Sequence, residues 1–147
     1  MEEKRYLGID LGGRRVGVAI SDPGGLIARP IETLIVNGVN DALRQVLALA
    51  TEYGVVGIVL GWPITLAGDI SEAAQEIEVF AKKLRAATPA PVFLEDERFS
   101  SRQAEAILHA HGKRVKGNKE KIDRISAAII LQSFLDRRNN SLSSNPT

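Results

Sequence analysis

Apolar and polar positions alternate from the start of the chain. Arg5 to Asp10 and Arg15 to Ser21 both follow this period of two, which predicts two strands of a hairpin turned by Gly12 and Gly13. Arg29 to Val36 continues the alternation as a third strand, completing a meander. The period then lengthens: Val39, Leu43, Val46, Leu47, Ala50 and Tyr53 fall at helical spacing, and Gly54 ends that helix. Val55 to Leu60 is uninterrupted apolar sequence, the signature of a central strand covered on both faces. After the irregular stretch Gly61 to Asp69, a second helix carries Ile70, Ala73, Ala74, Ile77, Phe80, Ala81 and Leu84 on one face. A short strand, Val92 to Leu94, delivers Glu95, Asp96 and Glu97 to a third helix, Arg102 to His111. Gly112 to Lys121 reads as a basic loop, Ile122 to Arg138 as a last helix, and Asn139 to Thr147 as a disordered tail. Strand, helix, strand, helix after a meander predicts an α/β domain whose sheet is antiparallel in one half and parallel in the other.

Composition narrows the classes. The chain has 147 residues, 44% of them hydrophobic, which suits one domain over residues 1–138 with one core. No apolar run is long enough to span a membrane, and Met1 to Arg5 does not open a signal peptide, so the expected setting is cytoplasmic. The absence of cysteine agrees with a reducing compartment and excludes thiolate chemistry. The net charge of +1 says little, but basic residues cluster: Arg14 and Arg15 follow the first strand, and Lys113, Arg114, Lys116, Lys119, Lys121 and Arg124 crowd the region around Asp123.

Three acids stand where a packed α/β domain would not put them without reason. Asp10 ends the first strand at a position that would ordinarily carry Val or Ile, and a buried acid is costly unless a cation meets it. Asp96 and Glu97 follow the last strand, and ligands gather at the carboxyl ends of strands in such sheets. Asp123 heads the stripe Asp123, Ala127, Ile130, Phe134 on the packed face of the last helix. Each has an ordinary alternative: a turn carboxylate, surface charge, and an acid favouring the helix dipole. Together they argue for a bound cation, because carboxylates about 4 Å apart repel by roughly 4 kcal/mol per pair at an effective dielectric of 20. Oxygen ligands without cysteine favour Mg²⁺ or Mn²⁺. Carboxylate-held divalent ions suit in-line displacement at phosphorus, and the basic residues would neutralise a polynucleotide backbone. His109 and His111 read as surface residues.

Four ordered motifs then carry a resemblance: Gly8-Ile9-Asp10-Leu11-Gly12 with Arg15 and Gly17-Val18-Ala19; Gly61-Trp62-Pro63; Asp96 to Ser101 with Ala104; and Lys119, Asp123, Ala127-Ala128 and Ile130-Leu131. From about Arg5 to Asp136 the chain resembles the YqgF/RuvX family. These are small bacterial proteins of the RNase H-like superfamily, related to Holliday-junction resolvases and assigned as nucleases maturing the 5′ end of pre-16S rRNA. The resemblance implies an RNase H-like, five-stranded mixed sheet of order 3-2-1-4-5 with helices on both faces. It assigns catalysis and metal binding to Asp10, Glu97 and Asp123, although the residues alone leave Asp96 or Glu97 open. Arg14, Arg15, Thr65, Arg98, Lys113, Arg114, Lys116, Lys119 and Lys121 are the expected nucleic-acid contacts. In the second motif the chain departs from the family, with Trp62, Thr65, Leu66 and Ala67 where an Asn and a Met-Asp-Gly turn are usual. Trp62 either stacks on a base or walls the pocket.

The expected activity is therefore Mg²⁺- or Mn²⁺-dependent hydrolysis of precursor ribosomal RNA by a monomer or weak homodimer, without membrane partners. A branched-DNA resolvase and a non-catalytic nucleic-acid adaptor are the competing readings. The opening hairpin also resembles the phosphate-binding hairpin of actin-like ATPases and sugar kinases, but those close two domains around a nucleotide and this length holds one.

Overall fold

The opening hairpin forms as its alternation requires. In a computed structural model, which describes residues 3–63, 72–96, 100–112 and 117–143, β1 (Tyr6–Leu11) pairs antiparallel with β2 (Arg15–Ser21), placing Leu7 opposite Ile20 and Asp10 opposite Gly17. β3 (Ala28–Ile35) pairs antiparallel with β2, with a register shift between Val18 and Ala19 where Pro30 is accommodated on the edge strand. Helix α1 (Val39–Tyr53) stops at Gly54, whose left-handed backbone (φ 59°) lets its N–H return to the carbonyls of Ala50 and Thr51. β4 (Gly57–Trp62) then runs parallel to β1, α2 (Glu72–Ala87) crosses back, and β5 (Val92–Asp96) runs parallel to β4. α3 (Ser100–Ala110) and α4 (Lys119–Ser143) follow, and the sheet order is β3-β2-β1-β4-β5.

The two faces of the sheet are built differently. On one, Leu7, Ile9, Val16, Val18, Ile20, Ile58 and Leu60 interlock with Val46 and Leu49 of α1 and Ile77, Phe80 and Leu84 of α2. Burying each such side chain is worth about 1.5–3 kcal/mol. On the other, the sheet positions are small, and α4 lies directly on the backbone. A Cβ on Gly8 would stand 2.7 Å from the Leu131 Cβ, and one on Gly17 would stand 2.0 Å from the Asp123 carbonyl oxygen. Ala127, Ile130, Leu131, Phe134 and Leu135 of α4 close this second core over Tyr6, Ala19 and Val59, and Ala104 and Leu108 of α3 pack against Ile122 of α4 in a third, smaller cluster.

Three differences from the sequence reading have physical causes. The fourth strand begins at Gly57, because the Val55 N–H is bonded to the Ala50 carbonyl as part of the helix ending. The last helix begins earlier than Ile122: Asn118 accepts the Ile122 N–H, which puts Lys119 and Lys121 in the first turn of α4 and not in a loop. It also continues past Arg138 to Ser143, supported by Arg138 over the Tyr6 ring and by Asn139 Nδ2 donating to the Gly25 carbonyl. The basic and polar residues at both ends carry no apolar stripe to announce this.

Glu95 was not singled out, yet it is a charged residue in the core. Only 3% exposed, it receives two bonds from Arg137, Nη1 to Oε1 at 2.8 Å and Nη2 to Oε2 at 2.6 Å, tying α4 to β5. Removing one partner of a buried pair leaves an uncompensated charge; because Arg137 is itself largely exposed, Arg137→Ala is expected to cost about 2 kcal/mol. Urea unfolding checks this, and Glu95→Gln combined with Arg137→Ala should recover part of the loss.

Candidate active site

Alternation along β1 sends Leu7 and Ile9 to the α1–α2 side and Tyr6, Gly8 and Asp10 to the α4 side. Asp10 therefore stands at the carboxyl end of β1, half-buried, facing the helix that carries Asp123. Its cross-strand partner is Gly17, about 5 Å away in such a pair, and the Asp123 backbone rests on Gly17. One missing side chain on β2 thus brings two of the three expected acids to the same corner of the sheet. Asp123 is the fifth residue of α4, and its carboxylate is not spent on capping its own helix. Arg15 Nε donates to Asp123 Oδ2 at 2.6 Å, across 108 residues of chain. This bond, reinforced by the Asp123 charge, raises the Arg15 pKa above its ordinary value.

The remaining expected residues separate into three groups. Arg14 is exposed in the turn, Lys119 is exposed and Lys121 half-buried on the first turn of α4, all at the same end of the molecule as Asp10 and Asp123. Arg124 Nη1 donates to Thr33 Oγ1 at 3.3 Å, while the Thr33 hydroxyl donates to the Glu120 carbonyl at 2.6 Å, so this arginine fixes α4 to β3. Glu97, Arg98, Thr65, Lys113, Arg114 and Lys116 lie outside the described residues. Among the described residues no three His, Cys, Asp or Glu side chains gather as a metal site. Asp96 is exposed at the end of β5 and shares a groove with Gln103 of α3 and Ile129, Ser133 and Asp136 of α4. It stands two strands from Asp10 in the sheet, roughly 10 Å away before side chains converge. Trp62 packs against the α1–α2 core, as a wall would, with its indole Nε1 buried and unpartnered among the described residues. His109 and His111 are exposed.

Two half-buried carboxylates stand at this corner, one of them paired with a guanidinium, and both would offer oxygen ligands to a hard cation. The family model described as RuvX: Holliday junction resolvase matches residues 4–137. A relative from Chloroflexus aggregans is 41% identical over 95% of this chain and 99% of its own, and one from Geobacillus kaustophilus is 42% identical over 91% and 99%; both carry the name "Putative pre-16S rRNA nuclease". Among solved structures, T. thermophilus RuvC in complex with a Holliday junction substrate aligns with a TM-score of 0.59 at 16% identity, covering 94% of this chain and 97% of that one. The Fowlpox virus resolvase in its Holliday junction DNA complex aligns with a TM-score of 0.60 at 12% identity, covering 91% and 98%. At these identities the structural likeness is one of fold, and the fold is RNase H-like.

Proposed function

Because the chain belongs to the RuvX family, a family of nucleases, we propose that it hydrolyses phosphodiester bonds in precursor 16S rRNA, maturing its 5′ end, with Mg²⁺ or Mn²⁺ held by Asp10, Glu97 and Asp123. The observation that carries the reading is the approach of α4 to Gly17, which sets Asp123 beside Asp10 on one face of the sheet. Glu97 completes the set through the family resemblance carried by the motif Asp96 to Ser101. A divalent cation bound there supplies a lowered pKa for an attacking water and charge neutralisation at the leaving oxygen. The chain's own residues do the rest. Asp10 and Asp123, with Glu97, would hold the cation, and Arg14, Arg15, Lys119 and Lys121 would seat the phosphate backbone. We propose further backbone contacts from Thr65, Arg98, Lys113, Arg114 and Lys116. In this reading the protein works in the cytoplasm as a monomer or weak homodimer; among the described residues no helix is long and apolar enough to cross a membrane.

Holliday-junction cleavage is the second reading, favoured by the description of the family model. Symmetric resolution of a four-way junction would need two sites, hence two copies. Incubation of wild-type protein with a 5′-extended 16S precursor and with a synthetic four-way DNA junction, each with Mg²⁺ or with chelator, separates the readings. Cleavage of the RNA alone, abolished by chelator, is the expected result. Paired nicks in the junction would transfer the assignment to the resolvase, and binding of RNA without cleavage under any condition would leave an adaptor.

A further inference from the structure

Arg15 faces two demands that one side chain cannot meet together. It was expected at the nucleic-acid backbone, yet its Nε is bonded to Asp123 Oδ2 at 2.6 Å. From this we infer that Arg15 is a stand-in cation for Asp123, displaced when a divalent metal binds between Asp10 and Asp123, and released by that displacement to contact a phosphate of the bound strand. The inference rests on the proposed metal site and goes beyond it by coupling metal loading to backbone binding.

The geometry supports exchange over permanent pairing. Arg15 and Gly17 project from the same face of β2, and Asp10 lies directly across from Gly17, so a cation shared by Asp10 and Asp123 would sit close to the guanidinium. Two like charges would then compete for one carboxylate at short range. The two partners are unequal in freedom: the Arg15 side chain is 42% exposed and that of Asp123 20%, so the arginine is the one with a path to solvent. A guanidinium is also weakly hydrated and suited to bidentate contact with phosphate, so leaving a carboxylate for a phosphodiester exchanges one charge-assisted bond for another. Glu120, one turn earlier on α4, adds a second negative charge acting on Arg15 and keeps the released guanidinium at this corner. By linkage, metal and nucleic acid must then raise each other's affinity by the same factor.

The test needs no turnover. Mn²⁺ binding, read from the electron paramagnetic resonance signal of the free ion, is compared between wild type and Arg15→Gln. The variant is expected to bind about tenfold more tightly, the release of one partly exposed ion pair. Arg15→Lys, which keeps the charge but holds it less well, should fall between. In wild type, the Nε–H resonance of Arg15 should lose its ion-paired shift as Mg²⁺ saturates the site, a readout that does not depend on any variant folding. Equal or weaker Mn²⁺ binding by Arg15→Gln, or an Nε–H resonance unmoved at saturating Mg²⁺, would overturn the exchange and make Arg15 a permanent support for Asp123. Failure of every form to bind Mn²⁺ would instead remove the metal site itself, and the exchange with it.

Discussion

Asp10→Asn is expected to lower turnover about a thousandfold while leaving nucleic-acid affinity, measured in the presence of chelator, unchanged or slightly raised. The carboxylate is proposed to help hold a cation whose stabilisation of the transition state amounts to several kcal/mol, and each ~1.4 kcal/mol is a factor of ten in rate. Affinity for the strand comes chiefly from lysine and arginine neutralising phosphates, so removing a negative charge beside them does not weaken it. Folding should not suffer either. Asparagine keeps the volume of the half-buried Asp10 side chain, so the variant is expected to remain folded. Single-turnover cleavage, filter binding and thermal unfolding on the same preparations check the three arms. A loss of turnover smaller than tenfold would separate Asp10 from the chemistry, and a fall in stability with the same loss of turnover would make it a structural residue.

What could be read before the structure was whatever local pattern announces. Val39–Tyr53 is bounded by Gly38 and Gly54, and Arg15–Ser21 alternates without a break, so both were delimited as they occur. The stripe Ala127, Ile130, Phe134 is buried as its spacing requires. The contacts that assemble the corner are of another kind. Arg15 and Asp123 are 108 residues apart, and neither carries a mark that names its partner. Glu95 is buried because Arg137, 42 residues later, reaches it from the next layer. Lys119 and Lys121 looked like loop residues because lysines oppose the helix dipole at an N-terminus, and the packing of α4 on the sheet outweighs that preference. Gly17 stood within a motif already noted, but only the helix lying on it shows why no side chain is tolerated there.

That glycine gives the second large effect. Gly17→Ala is expected to destabilise the fold by about 3 kcal/mol and also to depress turnover, whereas Gly8→Ala should do the first with much less of the second. The new Cβ at Gly17 would stand 2.0 Å from the Asp123 carbonyl oxygen, 2.3 Å from its carbon and 2.9 Å from the Arg124 nitrogen, all backbone, so no rotamer change relieves it. The first turns of α4 must lift, and with them Asp123, the Arg15 bond and the Arg124–Thr33 anchor. A displacement of about 1 Å in a catalytic group can remove a hundredfold in rate. At Gly8 the nearest atoms are the Leu131 Cβ at 2.7 Å and the Ala127 carbonyl at 3.0 Å, two turns and one turn further along α4, where a shift disturbs packing more than the acids. For a chain of this size 3 kcal/mol lowers the midpoint by roughly 6–12 °C, so both variants can be assayed folded at low temperature. If Gly8→Ala lost as much turnover as Gly17→Ala under those conditions, the close approach at Gly17 would be a matter of stability alone. If Gly17→Ala kept full turnover, the juxtaposition of Asp10 and Asp123 would not be the working geometry.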